Sequence, residues 1–117
     1  MSKDVSLFVD HILDNIENVE LFSKGMEKKD LSNNQLKQYA LVRAVEVIGE
    51  AAKNLPSDFK EKHSDIPWKN IIGTRDIMIH RYFEVNLDTL WNIIKIDLPD
   101  LKTKLISYKK TDLKEKK

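Results

Sequence analysis

The sequence has no cysteine and only three glycines and three prolines among its 117 residues. Without cysteine the chain can form no disulfide, no thiolate nucleophile and no cysteine-ligated zinc site. The scarcity of glycine and proline favours long helices over many short strands. No apolar run approaches the ~18–20 residues that cross a bilayer, and the N-terminal stretch has no apolar core of the kind found in signal peptides. We therefore expect a cytoplasmic protein without a membrane partner.

The length fits one domain with one hydrophobic core, but the charge is unevenly distributed. Residues 1–101 contain 13 basic and 17 acidic residues, whereas residues 102–117 contain seven lysines and two acids. We predict a single helical domain over residues 1–107 and a basic tail over residues 108–117 that frays. The tail has two interpretations: a solvated helix end, where lysine is favourable, or a basic arm that contacts nucleic acid.

Hydrophobic residues recur at helical spacing along most of the chain, and no alternation typical of strands is evident. Capping side chains at Ser32–Asn34, and Pro67 in a first helical turn, mark two helix starts. Pro99 lies inside the last helical pattern, so we expect a kink near residues 95–97. The fold class is therefore all-α, an up-and-down bundle of four long helices. We predict helices over residues 5–22, 32–55, 67–80 and 87–105, a polar connection over 25–32, and a link over 57–65 that has room for one short helix and carries His63 at the surface.

The second predicted helix is apolar over an unusually wide arc. Its polar side chains form a single stripe of Arg43, Glu46, Glu50 and Lys53. A helix this apolar must be covered on more than one side, so we predict a homodimer. For the two glutamates, pairing with Arg43 and Lys53 is one interpretation, and the other is that one of them reaches Arg75 on the adjacent helix and holds its guanidinium for catalysis.

Unusual polar residues concentrate in one short segment, at Arg75, Asp76, His80, Arg81 and Tyr82. Arginine matches phosphate oxygens with its planar fork, and histidine transfers protons near neutral pH. Asp76 and His80 are four residues apart, so they share a helix face and can form a hydrogen bond. The grouping suits metal-independent cleavage of RNA, in which the substrate's own 2′-OH attacks the adjacent phosphate. From spacing alone, a structural network at a helix end is the simpler interpretation.

The same segment resembles the motif of the HEPN superfamily, in which an arginine is followed after four residues by histidine and after one more by tyrosine. Arg75, His80 and Tyr82 stand at these positions. The surroundings resemble the HepT-like toxins in the same order over residues 4–106. Asp76 stands where many relatives have asparagine, and Glu84-Val85-Asn86 stands where many have Gly-Val-Asp. The stretches that carry the resemblance are residues 43–53, 66–73, 80–83, 87–91 and 97–101.

The resemblance implies a HEPN-like fold and a homodimeric toxin ribonuclease of a type VII-like toxin–antitoxin pair. Arg75 and His80 would be catalytic at a cleft between the two motifs, Asp76 would support His80, and Arg81 would bind substrate phosphate. A minimal nucleotidyltransferase antitoxin would neutralise the toxin by attaching AMP to Tyr82. No metal or cofactor is implied for this chain. The alternative is a non-catalytic HEPN module that binds nucleotide and partners the nucleotidyltransferase.

Overall fold

The computed structural model describes residues 2–73 and 87–115, and every regular element in these two ranges is helical. The all-α prediction is therefore confirmed for the described ranges. The long helix predicted from Pro67 continues into residues outside them, so the count of four long helices stays a prediction. The elements are α1 (Lys3–Ser23), α2 (Lys28–Asn33), α3 (Gln35–Asn54), α4 (Ser57–Lys62), α5 (described over 68–73), α6 (Leu87–Asn92), a π-helical turn (Ile93–Asp97) and α7 (Leu98–Glu115).

Helix α1 has the predicted spacing of apolar residues, and it ends just before Gly25, as the sequence predicts. Its N-cap is Ser2, whose hydroxyl accepts a hydrogen bond from the backbone N–H of Val5 at 3.2 Å. Gly25 lies just past its end with φ at +73°, a left-handed conformation that glycine adopts without steric cost. One face of the helix is buried in the core, through Val5, Val9, Ile12, Ile16 and Val19.

The predicted polar connection over residues 25–32 contains a short helix that the sequence analysis did not predict, α2 over residues 28–33. Its start is closed by a capping box in which the backbone N–H of Glu27 donates to Asp30 Oδ2 at 2.8 Å. Leu31 is fully buried and anchors the helix to the core. One apolar residue in a polar stretch gives no periodicity, so the hydrophobic pattern carried no signal for this helix.

Helix α3 packs along α1 and forms the centre of the core. Its N-cap is Asn34, whose side-chain oxygen accepts from the backbone N–H of Lys37 at 3.0 Å, as the capping residues predict. It ends at Asn54, just before Pro56. The predicted second helix is thus confirmed in position, and its wide apolar arc is buried through Leu41, Ala44, Val45, Ile48, Gly49, Ala51 and Ala52.

The short helix α4 occupies the predicted link and leads through a turn into α5. Pro67 precedes α5, and its carbonyl accepts the backbone N–H of Ile71 at 3.1 Å. Trp68 is 8% exposed, and its indole Nε1–H donates to the carbonyl of His63 at 3.0 Å. With Ile66 also buried, the start of α5 is fixed firmly against the rest of the molecule.

The final helical stretch runs from Leu87 to Glu115 and is interrupted by the π-helical turn at Ile93–Asp97. The π-helical turn covers residues 95–97, where the sequence predicts a kink. Pro99 has no backbone N–H and so cannot donate a hydrogen bond to the preceding turn. The wider spacing of a π turn tolerates this missing hydrogen bond. The predicted domain boundary after residue 107 falls inside α7. None of the described helices is long and apolar enough to cross a membrane.

Lysines of α7 tie it to α1 across the bundle. Lys102 Nζ lies 2.7 Å from Glu20 Oε1, and Lys109 Nζ lies 2.6 Å from Asp10 Oδ1. These lysines complement acidic residues of the same chain, which fits the interpretation of this region as a solvated helix end.

Candidate functional site

The residues of the predicted motif lie outside the described residues, so their roles stay predictions. The structure describes α5 up to residue 73 and then the chain from Leu87, the first residue of α6. What the structure does describe is the segment that leads into the motif, and the stripe of α3 that carries the predicted supporting glutamates. The predicted site residues outside the description are Arg75, Asp76, His80, Arg81 and Tyr82.

A cluster of titratable side chains holds the turn before α5 against α7. The imidazole of His63 stacks on the ring of Tyr108 with 3.8 Å between centroids. The Tyr108 hydroxyl donates to Asp65 Oδ1, and Lys104 Nζ donates to the Asp65 carbonyl at 2.8 Å. His63 is half-buried, so it lies at the surface as predicted, but its ring also contacts the rings of Tyr108 and Phe59.

The electrostatics of this cluster follow from its contacts. The hydrogen bond from Tyr108 lowers the pKa of Asp65. Burial, together with the bond to the Asp65 carboxylate, raises the pKa of Tyr108 to about 12. Burial lowers the pKa of His63, and the positive charge of Lys62 acts in the same direction. The hydroxyl of Tyr108, the carboxylate of Asp65 and the ammonium group of Lys104 are each used in a contact that joins the turn before α5 to α7.

Glu46 and Glu50 lie in an open cleft of about 430 Å³ between α1 and α3. A volume of this size is typical of small-molecule sites. The apolar part of its lining comes from Phe8 on α1 and from Val47 and Ala51 on α3. The polar part comes from His11, Arg43, Glu46, Glu50 and Asn54.

The Glu46 carboxylate is the more enclosed member of an ion pair in this cleft. Its Oε2 lies 3.3 Å from Arg43 Nη1, and the Glu46 side chain is 23% exposed while that of Arg43 is 76% exposed. The predicted pairing of Glu46 with Arg43 is confirmed. The alternative, that a glutamate holds Arg75, stays a prediction because Arg75 is outside the description.

His11 is a member of this cleft that the sequence interpretation missed. It lies on α1 three residues after Phe8, so the helical period places both on one face. The sequence signal was therefore present, but it did not indicate that this face of α1 opens beside the polar stripe of α3. Only the packing of the two helices brings His11 into one cleft with Arg43 and Glu46.

A second cavity, of about 250 Å³, lies between α3, α5 and the π-helical turn. Its lining includes the apolar residues Val45, Ile48 and Ile71 and the acidic residues Asp97 and Asp100. Burial raises the pKa of Asp97, and the charge of Asp100 acts in the same direction. Across residues 2–73 and 87–115, no group of three or more histidine or acidic side chains is arranged to hold a metal ion.

Comparison with known proteins gives a consistent result over most of the chain. A family model described as "Ribonuclease HepT-like" matches residues 12–107. The chain is 42% identical over 106 residues to the Methanocaldococcus jannaschii protein named "Gamma-glutamylcyclotransferase and putative RNase MJ0434", and the match covers 91% of this chain and 48% of that protein. The chain therefore spans about half the length of this relative.

Two further relatives match over nearly their whole length. The chain is 42% identical over 103 residues to "Putative RNase MJ1380" of the same organism, covering 87% of this chain and 94% of the relative. It is 40% identical over 103 residues to "Probable ribonuclease HepT" of Thermococcus cleftensis, covering 88% and 94%. No solved structure matches the chain significantly.

Proposed function

We propose that this chain, which belongs to the ribonuclease HepT-like family, is a metal-independent endoribonuclease. The observation that carries the proposal is the family match over residues 12–107, which spans the complete motif of Arg75, His80 and Tyr82. The names of the two full-length relatives assign them to the ribonucleases.

The proposed reaction is an internal transesterification of RNA. His80 accepts the proton of a ribose 2′-OH, whose oxygen forms a bond to the adjacent phosphorus as the bond to the 5′-oxygen breaks. Arg75 stabilises the extra negative charge on the phosphate oxygens, and Arg81 binds a phosphate of the same strand. Asp76 fixes the orientation of the His80 ring. The departing 5′-oxygen takes up a proton from water, so the products carry a 2′,3′-cyclic phosphate and a 5′-hydroxyl. DNA resists because it lacks the 2′-OH.

The proposed enzyme is a homodimer in which the two copies of the motif face one cleft. In the proposed supporting role, one of the two glutamates, Glu46 or Glu50, holds the guanidinium of Arg75 in the orientation that binds phosphate. Support for the second copy comes from the resemblance to the HepT-like toxins, since the apolar arc of α3 is already buried within the chain. Light scattering at micromolar concentration tests the assembly, and a mass near 13.7 kDa would contradict it.

The proposed regulation is that of a toxin paired with a minimal nucleotidyltransferase antitoxin. Transfer of AMP from ATP to the Tyr82 hydroxyl releases pyrophosphate and leaves a phosphodiester of about −1 charge beside Arg75, Arg81 and His80. That group occupies the place of the substrate phosphate. Peptide mass spectrometry after co-expression tests this step. Neutralisation of toxicity without adenylate on the peptide that contains Tyr82 would show that inhibition is steric.

The test of the catalytic proposal is cleavage of single-stranded RNA in EDTA. We expect activity in EDTA from the native protein, and a loss of roughly 10²–10⁴-fold in His80→Ala and in Arg75→Ala. Lys69→Ala is the matched control, because Lys69 is an exposed cation of α5 shortly before the motif. Unchanged activity in His80→Ala, or loss of native activity in EDTA, would refute the mechanism. Nucleotide binding without any cleavage would favour the non-catalytic module.

A further inference from the structure

The cleft between α1 and α3 combines an apolar surface with polar side chains, a chemistry that suits a flat heterocycle. Its volume of about 430 Å³ lies within the range of small-ligand sites. Apolar atoms of Phe8, Val47 and Ala51 offer a surface against which an aromatic ring can pack. The polar groups line the same cleft, so a ligand lying on the apolar surface presents its edge to them.

The acceptor groups of the cleft restrict what that ligand can be. Glu46 has a carboxylate that accepts hydrogen bonds and donates none. Its side chain is 23% exposed, so a ligand that covers the cleft must supply N–H donors to replace the remaining water. Arg43, which already bonds Glu46 Oε2 at 3.3 Å, supplies donors next to that carboxylate. The matching ligand has two N–H donors beside an acceptor on one edge.

Guanine is the base with that edge, because its N1–H and N2–H₂ donors lie side by side next to the O6 acceptor. The two parallel donors can both donate to one carboxylate, and O6 can accept a hydrogen bond from a guanidinium. Adenine and cytosine each present one amino group beside an acceptor, and the single N3–H of uracil lies between two carbonyls. We propose that this cleft is a guanine-binding subsite, with Glu46 and Arg43 reading the base edge.

One further polar residue of the cleft, His11, suits the phosphate of a nucleotide. His11 lies on the α1 side of the cleft, where its ring N–H can donate to a phosphate attached to the bound nucleoside. RNA-binding proteins read bases in this way when a base is unstacked from its neighbours and its Watson–Crick edge is exposed. The inference deepens the proposed ribonuclease function, and it rests on that function for the claim that the guanine belongs to an RNA substrate.

Direct binding tests the subsite without any requirement for cleavage. The full-length protein is titrated with GMP, AMP, CMP and UMP by calorimetry, and NMR follows the backbone amides of Val47 and Ala51. We expect GMP to bind at least about tenfold more tightly than the other three, since one charged hydrogen-bond pair is worth about that factor. Equal binding of all four nucleotides, or amide shifts confined to other regions, would overturn the proposal.

Two variants that each replace a glutamate by glutamine test the contribution of the Glu46 carboxylate to binding. Glu46→Gln keeps the size of the side chain but replaces one acceptor oxygen with a donor, so GMP should bind at least about tenfold more weakly. Glu61→Gln makes the same change on the exposed face of α4 and should bind GMP as the native protein does. Native affinity for GMP in Glu46→Gln would refute the role of this residue.

Cleavage mapping separates this inference from the proposed function. If the subsite serves RNA, the native protein cuts at sites set by guanine, and Glu46→Gln raises KM and spreads the cut sites. A merely supporting effect on Arg75 would lower kcat and leave the sites unchanged. Cleavage without guanine preference or GMP binding would refute the subsite alone. Tight GMP binding without cleavage would refute the ribonuclease and assign the cleft to a free guanine nucleotide.

A protein interface on this face is the competing outcome. If Glu46→Arg changes the mass in solution while no nucleotide binds the native protein, the cleft is buried between two copies and the proposal is wrong.

Discussion

Truncation of Trp68 tests how firmly the fold holds the segment that leads into the motif. Trp68 is 8% exposed, and α5 begins at this residue, seven positions before Arg75. Removal of a buried tryptophan side chain to alanine costs about 3–5 kcal/mol. The free energy of unfolding of a natural domain is only about 5–15 kcal/mol, so we expect Trp68→Ala to be severely destabilised.

Trp68→Phe is the variant that separates packing from hydrogen bonding. It keeps most of the buried ring but loses the Nε1–H that donates to the His63 carbonyl at 3.0 Å. That carbonyl retains a second donor, the backbone N–H of Ile66 at 3.1 Å, so it is not left without a partner. The loss is therefore that of an ordinary hydrogen bond, about 1 kcal/mol, and the melting temperature should fall by roughly 3–6 °C.

The assay combines thermal unfolding with RNA cleavage well below the melting temperature. If the proposed ribonuclease function is right and the motif follows directly from α5, Trp68→Phe lowers kcat several-fold, while GMP affinity stays at the native value because Trp68 does not line the cleft between α1 and α3. Trp91→Phe is the matched control, since Trp91 lies on α6 with Lys95 over its ring. A stability loss below about 1 kcal/mol in Trp68→Ala would refute the packing argument.

Three further predictions concern stability. The pKa of Tyr108 is raised from 10.0 to about 12, so the neutral hydroxyl stabilises the folded state. This stabilisation is complete below pH 10 and is lost as the pH rises from 10 to about 12. Denaturant titrations across that interval should show a smaller decline in Tyr108→Phe than in the native protein. Ile48→Ala, at a 1% exposed position, should cost about 2–5 kcal/mol, whereas Leu36→Ala, at a 79% exposed position, should change stability by less than about 0.5 kcal/mol. Gly25→Ala should destabilise by about 1 kcal/mol, because φ is +73° there, and equal stability by chemical denaturation would contradict this.

The sequence determined the helices whose signals are local. The apolar period of α1, the cap at Asn34 and the stops near Gly25 and Pro56 all act within one or two helical turns, and the structure has them at these places. The motif of the family was likewise readable, because its residues follow one another at fixed spacing. Helix α2 was not predicted, because its capping box and the single buried Leu31 give no repeating pattern.

Only the tertiary structure decided which distant residues share a site. Asp65 and Tyr108 are 43 positions apart, and their hydrogen bond exists because α7 packs against the turn before α5. His11 had no assigned role until the packing of α1 on α3 placed it in one cleft with Glu46. Periodicity states which face of a helix is polar, but the partner of that face depends on how buried surfaces fit together, and no local signal encodes that fit.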